Sequence, residues 1–159
     1  MITTFVVCNG FLVAQPDAGA APPVAEEVVW YDMLAPGPEE EHQLEALLGV
    51  DIPTREEMEE IEASSRLYAE NNAVFMTANL VANAHSEQPQ LAPVTFILAG
   101  NALVTVRYHA PRSFGSFVQR AAKSDLGIRS GNMLLIALFE TVTDRLADIL
   151  EASARRHEE

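Results

Sequence analysis

The stretch Pro93–Tyr108, PVTFILAGNALVTVRY, decides how this chain folds. Two apolar, β-branched runs, Pro93–Ala99 and Ala102–Tyr108, flank Gly100-Asn101. Both turn residues accept positive φ, so the pattern predicts a tight β-hairpin. The same signal recurs upstream. Ala73–Val81 and Arg66–Ala69 read as strands around Glu70-Asn71-Asn72, and Ile2–Cys8 and Phe11–Gln15 as strands around Asn9-Gly10. Glu27–Tyr31 (EVVWY) adds a short strand rich in β-branched and aromatic side chains. The spacing therefore predicts seven strands, most of them paired with a sequence neighbour.

Helical signals fill the gaps. Pro36-Gly37 marks a turn, and Pro38 suits the first position of a helix. Glu39, Glu40 and Glu41 then lie at the positive end of its dipole, Leu44, Leu47 and Leu48 form its apolar stripe, and Gly49 ends it. A second helix is predicted over Arg55–Ala63, with Thr54 and Glu57 at capping-box spacing. Pro111 introduces a third helix, with Phe114, Phe117, Val118 and Ala121 on one face. The fourth starts at Gly131; its Leu135, Leu138, Val142, Leu146 and Ile149 follow a near-heptad spacing. No Gly or Pro follows Ile149, which predicts a helix that is truncated rather than finished. The expected fold class is α+β, an α/β/α layered domain over residues 1–159. It contains a seven-stranded mixed, largely antiparallel sheet, flanking helices and a long C-terminal helix. Gln15–Ala25 is a Pro/Ala/Gly-rich loop.

Charge and composition narrow the function. The chain is 48% hydrophobic and 21% charged, with a net charge of −13. Residues 1–100 carry 16 acids against 2 bases, whereas residues 101–159 carry 7 against 8. An acidic protein lacks the basic footprint that nucleic acid requires. The single cysteine, Cys8, forms no internal disulfide and no thiolate zinc site. The longest clean apolar run, Met133–Phe139, is far shorter than the roughly 20 residues of a membrane-spanning helix. A secretory leader is disfavoured because the apolar N-terminus lacks a positive n-region and Asn9-Gly10 interrupts it. There is no phosphate-loop, His-Glu-x-x-His or Gly-x-Ser-x-Gly pattern, and His42, His85, His109 and His157 are scattered. No enzymatic activity is expected. Arg66 and Arg107, in strand-like segments, are expected to brace carboxylates such as Asp32 or Glu62.

Several separated blocks, in order, resemble one family. LGVDIPTREEMEEIEASSRLY (Leu48–Tyr68), Phe75-Met-Thr-Ala, Pro93-Val-Thr-Phe-Ile-Leu and Leu103-Val-Thr-Val-Arg107 are similar to proteobacterial members of the CorA family of Mg²⁺/Co²⁺ transporters. Trp30-Tyr-Asp-Met ahead of a Pro-Glu-Glu helix resembles that family's Trp-x-Asp-Leu segment. Leu134–Glu151 resembles the start of its long pore-directed helices. The resemblance implies the N-terminal cytosolic domain of a divalent-cation channel, at the cytoplasmic face of the bacterial inner membrane. It also implies a homopentamer, with two transmembrane helices and a Gly-Met-Asn motif lying elsewhere in such proteins. Gly131-Asn132-Met133 has those residue types in another order and is not that motif. A zinc transporter of the same superfamily and a free-standing acidic interaction module are the alternatives.

The family resemblance also implies a regulatory Mg²⁺ held between neighbouring cytosolic domains, with no tightly bound cofactor. Mg²⁺ takes oxygen ligands and retains several waters, so a few carboxylates suffice. Glu140, Asp144, Asp148 and Glu151, spaced 4, 4 and 3, share one face of the last helix. Arg145 is a possible partner for that row. The second candidate is the loop Asn83-Ala84-His85-Ser86-Glu87. The expected metal ligands are therefore Glu140, Asp144, Asp148, Asn83 and Glu87, and the Glu56–Glu62 cluster is expected to be a solvated helix face.

Overall fold

The computed structural model describes residues 1–15, 27–60, 66–84 and 86–158. In chain order the elements are β1 (Ile2–Cys8), β2 (Phe11–Ala14), β3 (Val28–Leu34), α1 (Pro38–Leu48) and α2 (Arg55–Glu60). There follow β4 (Leu67–Glu70), β5 (Ala73–Ala82), β6 (Gln90–Ala99), β7 (Ala102–Arg107), α3 (Arg112–Lys123) and α4 (Gly131–Glu158). The strands form one seven-stranded sheet in the order β2-β1-β3-β7-β6-β5-β4. Every pairing is antiparallel except that of β3 with β7, which is parallel.

The turns obey the local chemistry. Asn9 and Gly10 both have positive φ, as do Asn71 and Asn72, so each hairpin closes through residues that tolerate that region. Gly49 adopts φ 67° and its N–H donates to the Glu45 carbonyl, ending α1. The Glu57 N–H donates to Thr54 Oγ1 at 3.2 Å, the N-terminal cap expected for α2. At the start of α1 the Glu40 carboxylate accepts from the Gly37 N–H at 3.1 Å. The predicted extension of α2 to Ala63 and most of the Gln15–Ala25 loop fall outside the described residues.

Two strand boundaries differ from the sequence expectation by more than one residue. Strand β3 continues past Tyr31 to Leu34, because β7 pairs alongside it from Trp30↔Leu103 to Leu34↔Arg107. Strand β6 begins at Gln90 rather than Pro93. It pairs with β5 from Ala82↔Gln90 onward, while β7 joins only from Val94↔Arg107. Pro93 thus occupies a stretch with a single neighbour, where its missing N–H costs no ladder bond.

Alternation along the strands divides the core into two layers. On one face Phe5, Trp30, Val94, Phe96 and Leu103 pack against Phe114 and Phe117 of α3 and Leu134 and Leu138 of α4. On the other, Tyr31, Met33, Phe75, Ile97 and Val104 pack against Leu44 of α1 and Met58 of α2. Trp30 is fully buried, stacked on Phe5 at 4.6 Å and met edge-on by Phe117 at 5.9 Å. The inner residues of α4 are Leu134, Leu138, Thr141 and Val142, so the expected heptad seam holds only in its first half. Past Val142 the helix leaves the sheet, and Leu146 and Leu150 are exposed.

The root of α4 is set by Gly131. A Cβ there would stand 2.6 Å from both the Ala102 carbonyl carbon and the Leu103 nitrogen, and the Gly131 N–H donates to the Asn101 carbonyl at 2.8 Å. The Gly131→Ala variant is expected to lose about 1–3 kcal/mol of stability through overpacking. Gly115→Ala, whose Cβ would meet nothing within 4 Å in the interior of α3, is expected to gain about 0.5–1 kcal/mol. Urea denaturation of the two variants checks both signs.

Candidate metal-binding face

A buried polar network fixes the end of the sheet from which this face is built. The Asp32 carboxylate at the centre of β3 is 7% exposed. Its Oδ1 accepts from Thr105 Oγ1 at 2.8 Å and Arg107 Nε at 3.1 Å, and its Oδ2 accepts from Arg107 Nη2 at 2.8 Å. Trp30 Nε1 in turn donates to Thr105 Oγ1 at 2.9 Å. The parallel register makes this possible, since Asp32 lies opposite Thr105. Arg107, expected to brace a carboxylate such as Asp32, does so with a bidentate fork.

The guanidinium does two further things. Nη1 donates to the His109 carbonyl at 2.9 Å, and the group lies 4.9 Å from the ring centre of Phe114. His109 is itself buried, with Nε2 2.8 Å from the Leu80 carbonyl. Nε2 must therefore carry the proton and donate it, which leaves Nδ1 buried without a partner among the described residues. Burial holds His109 below the ordinary histidine value; Arg107 pushes the same way and the Leu80 carbonyl pushes back. One side chain after another, β3, β7, β5 and the N-terminus of α3 are tied together.

Beyond this tie two adjoining grooves open. The first, about 450 Å³, is lined by Val81, Asn83, Ala84, Ser86 and Ala110, with Arg112 and Arg145 on its border. The second, about 300 Å³, shares Arg112 and Arg145 and adds Ser113, Ser116, Arg120, Thr141, Asp144 and Asp148. Asn83 follows β5 at φ 56°, and its carbonyl accepts from both the N–H and the hydroxyl of Ser86, which folds the loop back on itself. Arg120 Nη2 donates to Thr141 Oγ1 at 3.0 Å, fastening α3 to α4.

The structure thus brings Asn83, from the β5–β6 loop, and Asp144 and Asp148, from α4, to one continuous face. Glu140 and Glu87 are exposed but border neither groove. His85 lies outside the described residues. Glu151 pairs with Arg155 at 2.9 Å and borders neither groove. Arg145, expected as a partner of that row, has no carboxylate within 4.0 Å among the described residues. Among the described residues no three His, Cys, Asp or Glu side chains converge there. The sequence reading passed over Arg112 and Arg120, although Arg112, Ser116 and Arg120 recur every four residues on the face of α3 opposite Phe114 and Phe117.

Residues 25–159 match the family described as CorA-like Mg²⁺ transporter protein. The chain belongs to this family. Among curated relatives of this CorA-like chain, the magnesium transport protein CorA of Wolinella succinogenes is 30% identical over 138 residues. The match spans 84% of this chain and 43% of that protein. The Pasteurella multocida protein of the same name is 28% identical over 123 residues, covering 77% of this chain and 39% of its own length. The chain therefore spans less than half the length of these relatives. Two solved structures share the fold. The soluble domain of CorA from Methanocaldococcus jannaschii superposes with a TM-score of 0.71 at 13% identity, over 99% of this chain and 62% of that one. The ZntB cytoplasmic domain from Vibrio parahaemolyticus gives 0.63 at 14% identity, over 94% and 60%. Among the described residues of the CorA-like chain no helix is long and apolar enough to cross a membrane.

Two predictions follow from the Asp32–Arg107–His109 tie. Asp32→Ala leaves a buried guanidinium uncompensated and is expected to cost about 3–5 kcal/mol in urea unfolding; adding Arg107→Ala should cost much less than that first step. For His109 the folded-state pKa lies below the unfolded one. On acidification the unfolded chain takes up the proton first, so the stability carried by neutral His109 is complete above about pH 6.5 and is lost as pH falls through the folded value. The urea midpoint of His109→Gln is expected to fall less than that of the native chain between about pH 7.5 and about pH 5.5.

Proposed function

We propose that this chain is the cytosolic, Mg²⁺-sensing regulatory domain of a divalent-cation channel for Mg²⁺ or Co²⁺. Such a channel would sit in the bacterial inner membrane and work as a homo-oligomer. Membership of the CorA-like family carries this reading, and the placement of Asn83 on the groove that adjoins the one lined by Asp144 and Asp148 supports the sensing part. It assigns the domain no enzymatic role. The ZntB likeness is one of fold, whereas the relatives in sequence carry the name of magnesium transport, so the zinc reading ranks second.

The donor set suits half of a shared site. Asp144 and Asp148 are one helical turn apart and exposed, with Asn83 across the adjoining groove. Mg²⁺ needs only one or two carboxylates and keeps the rest of its shell as water. Arg112 and Arg145 stand between the two sides and oppose a cation held wholly within one chain. A site completed by carboxylates of a neighbouring copy avoids that repulsion. Its occupation would favour the arrangement that holds the copies close, and its loss would release that arrangement. Glu140 and Glu87 belong to this reading as outer, water-mediated ligands.

The test is the thermal stability and self-association of the chain against MgCl₂. At about ten times the dissociation constant, Mg²⁺ is expected to raise the melting temperature by about 3–6 °C and to increase the sedimenting mass. The Asp144→Asn/Asp148→Asn double variant should lose both responses while unfolding as cooperatively as the native chain. Equal responses in the two proteins would remove the sensing role from these carboxylates.

A further inference from the structure

The face that offers two carboxylates also gathers three arginines, in a chain that has only ten basic side chains against 23 acids. Arg112 and Arg120 come from α3 and Arg145 from α4, and all three border the second groove. None has a carboxylate within 4.0 Å among the described residues; every ion pair there uses other cations. Arg112 and Arg120 are exposed and Arg145 is half-buried, and all three lack an ion pair among the described residues although Asp144 and Asp148 line the same groove.

Two other features point to what would fill the space between them. Ser113 is only 5% exposed, lines the groove, and its hydroxyl makes no hydrogen bond with the described residues. Its Oγ is not one of the sealed polar atoms without a partner among the described residues, which are Tyr31 Oη and His109 Nδ1; it opens to the groove and can donate to a group bound there. Ser113 also stands in the first turn of the twelve-residue α3, where the unpaired N–H groups and the dipole favour negative charge. Donors thus arrive from three arginines, one hydroxyl open to the groove and a helix start. That exceeds what the two oxygens of a carboxylate can accept and suits the three or four oxygens of a phosphoryl group.

We infer that the groove between α3 and α4 binds a phosphoryl dianion, held by Arg112 and Arg145, with Arg120 and Ser113 completing the donor set. Asp144 and Asp148 on the same wall confine the anion to the Arg112 side. The adjoining 450 Å³ groove leaves room for a substituent on the phosphate. Free phosphate and a phosphate monoester share this chemistry. The inference does not depend on the Mg²⁺ reading, and one substitution separates the two. Asp144→Asn removes a metal ligand but also removes a repulsive charge from the anion's wall, so it should weaken the Mg²⁺ response and tighten phosphate binding.

The experiment is an amide NMR titration of the 159-residue chain with inorganic phosphate, with a nucleoside monophosphate, and with acetate at equal ionic strength. Saturable shifts confined to the start of α3 and the facing turn of α4 are expected with both phosphates; a tighter monoester would identify an ester as the ligand. Arg112→Gln and Arg145→Gln should each weaken binding by about tenfold, and Arg145→Lys should recover part of the loss because the point charge returns without the fork. Ser113→Ala should weaken binding less than either arginine change. Equal shifts with acetate, shifts spread over the whole surface, or shifts unchanged in the arginine variants would reduce the effect to an adventitious ion only and overturn the inference.

Discussion

The Asp32–Arg107 ion pair is the constraint on which the rest of the domain is arranged. A carboxylate placed in the middle of a central strand must find compensation or lose several kcal/mol to desolvation. It finds a bidentate guanidinium and a threonine hydroxyl on the strand that lies parallel to it. That choice fixes the register of β3 on β7. It also orients the Trp30 indole through Thr105 and spends the remaining guanidinium donor on the backbone of His109. The aromatic layer and the start of α3 then follow. The pair adds specificity more than raw stability, because an apolar replacement of similar volume would fill the space without defining which strand lies beside which.

Local chemistry made most of the fold legible in the amino-acid sequence. Asn9-Gly10, Asn71-Asn72 and Gly100-Asn101 announce three hairpins because positive φ is a property of the turn residues themselves. Thr54 and Glu57, and Gly49, announce helix ends for similar reasons. What could not be read was the one parallel pairing. It joins strands 73 and 75 residues apart, as the Thr105–Asp32 and Arg107–Asp32 bonds show, and no short-range signal marks it. The same blindness set β3 too short, since its last three residues are strand only because β7 lies alongside. Pro93 misled in the other direction, by suggesting a start where the strand merely lacks one neighbour.

The candidate face was legible in pieces but not as a whole. Asp144 and Asp148 were visible from helical spacing, and Asn83 from its place after a long strand; that they share a face depends on how α4 crosses the sheet. The arginines were harder to see because each is unremarkable alone. The charge split along the chain gave a partial hint: the first 100 residues carry all of the excess acid, whereas the part that follows is balanced. The fold places that balanced part on one layer, so a protein of net charge −13 presents a locally basic groove on an acidic body. Long-range attraction of cations and local retention of anions can then coexist on one molecule.

The backbone contact at Gly131 gives α4 a fixed root, while everything past Val142 projects free of the sheet. A 28-residue helix is about 42 Å long, and the projecting part accounts for about 24 Å of it. The geometry is that of a lever with its fulcrum against β7. A rotation of about 10° about the root would carry the tip, about 42 Å away, through about 7 Å. The grooves flank the point where the helix leaves the sheet: Arg120 grips Thr141 just before it, and Asp144, Arg145 and Asp148 line them just beyond. A rearrangement at the grooves that turned α4 by that angle would displace its end by more than one helical turn.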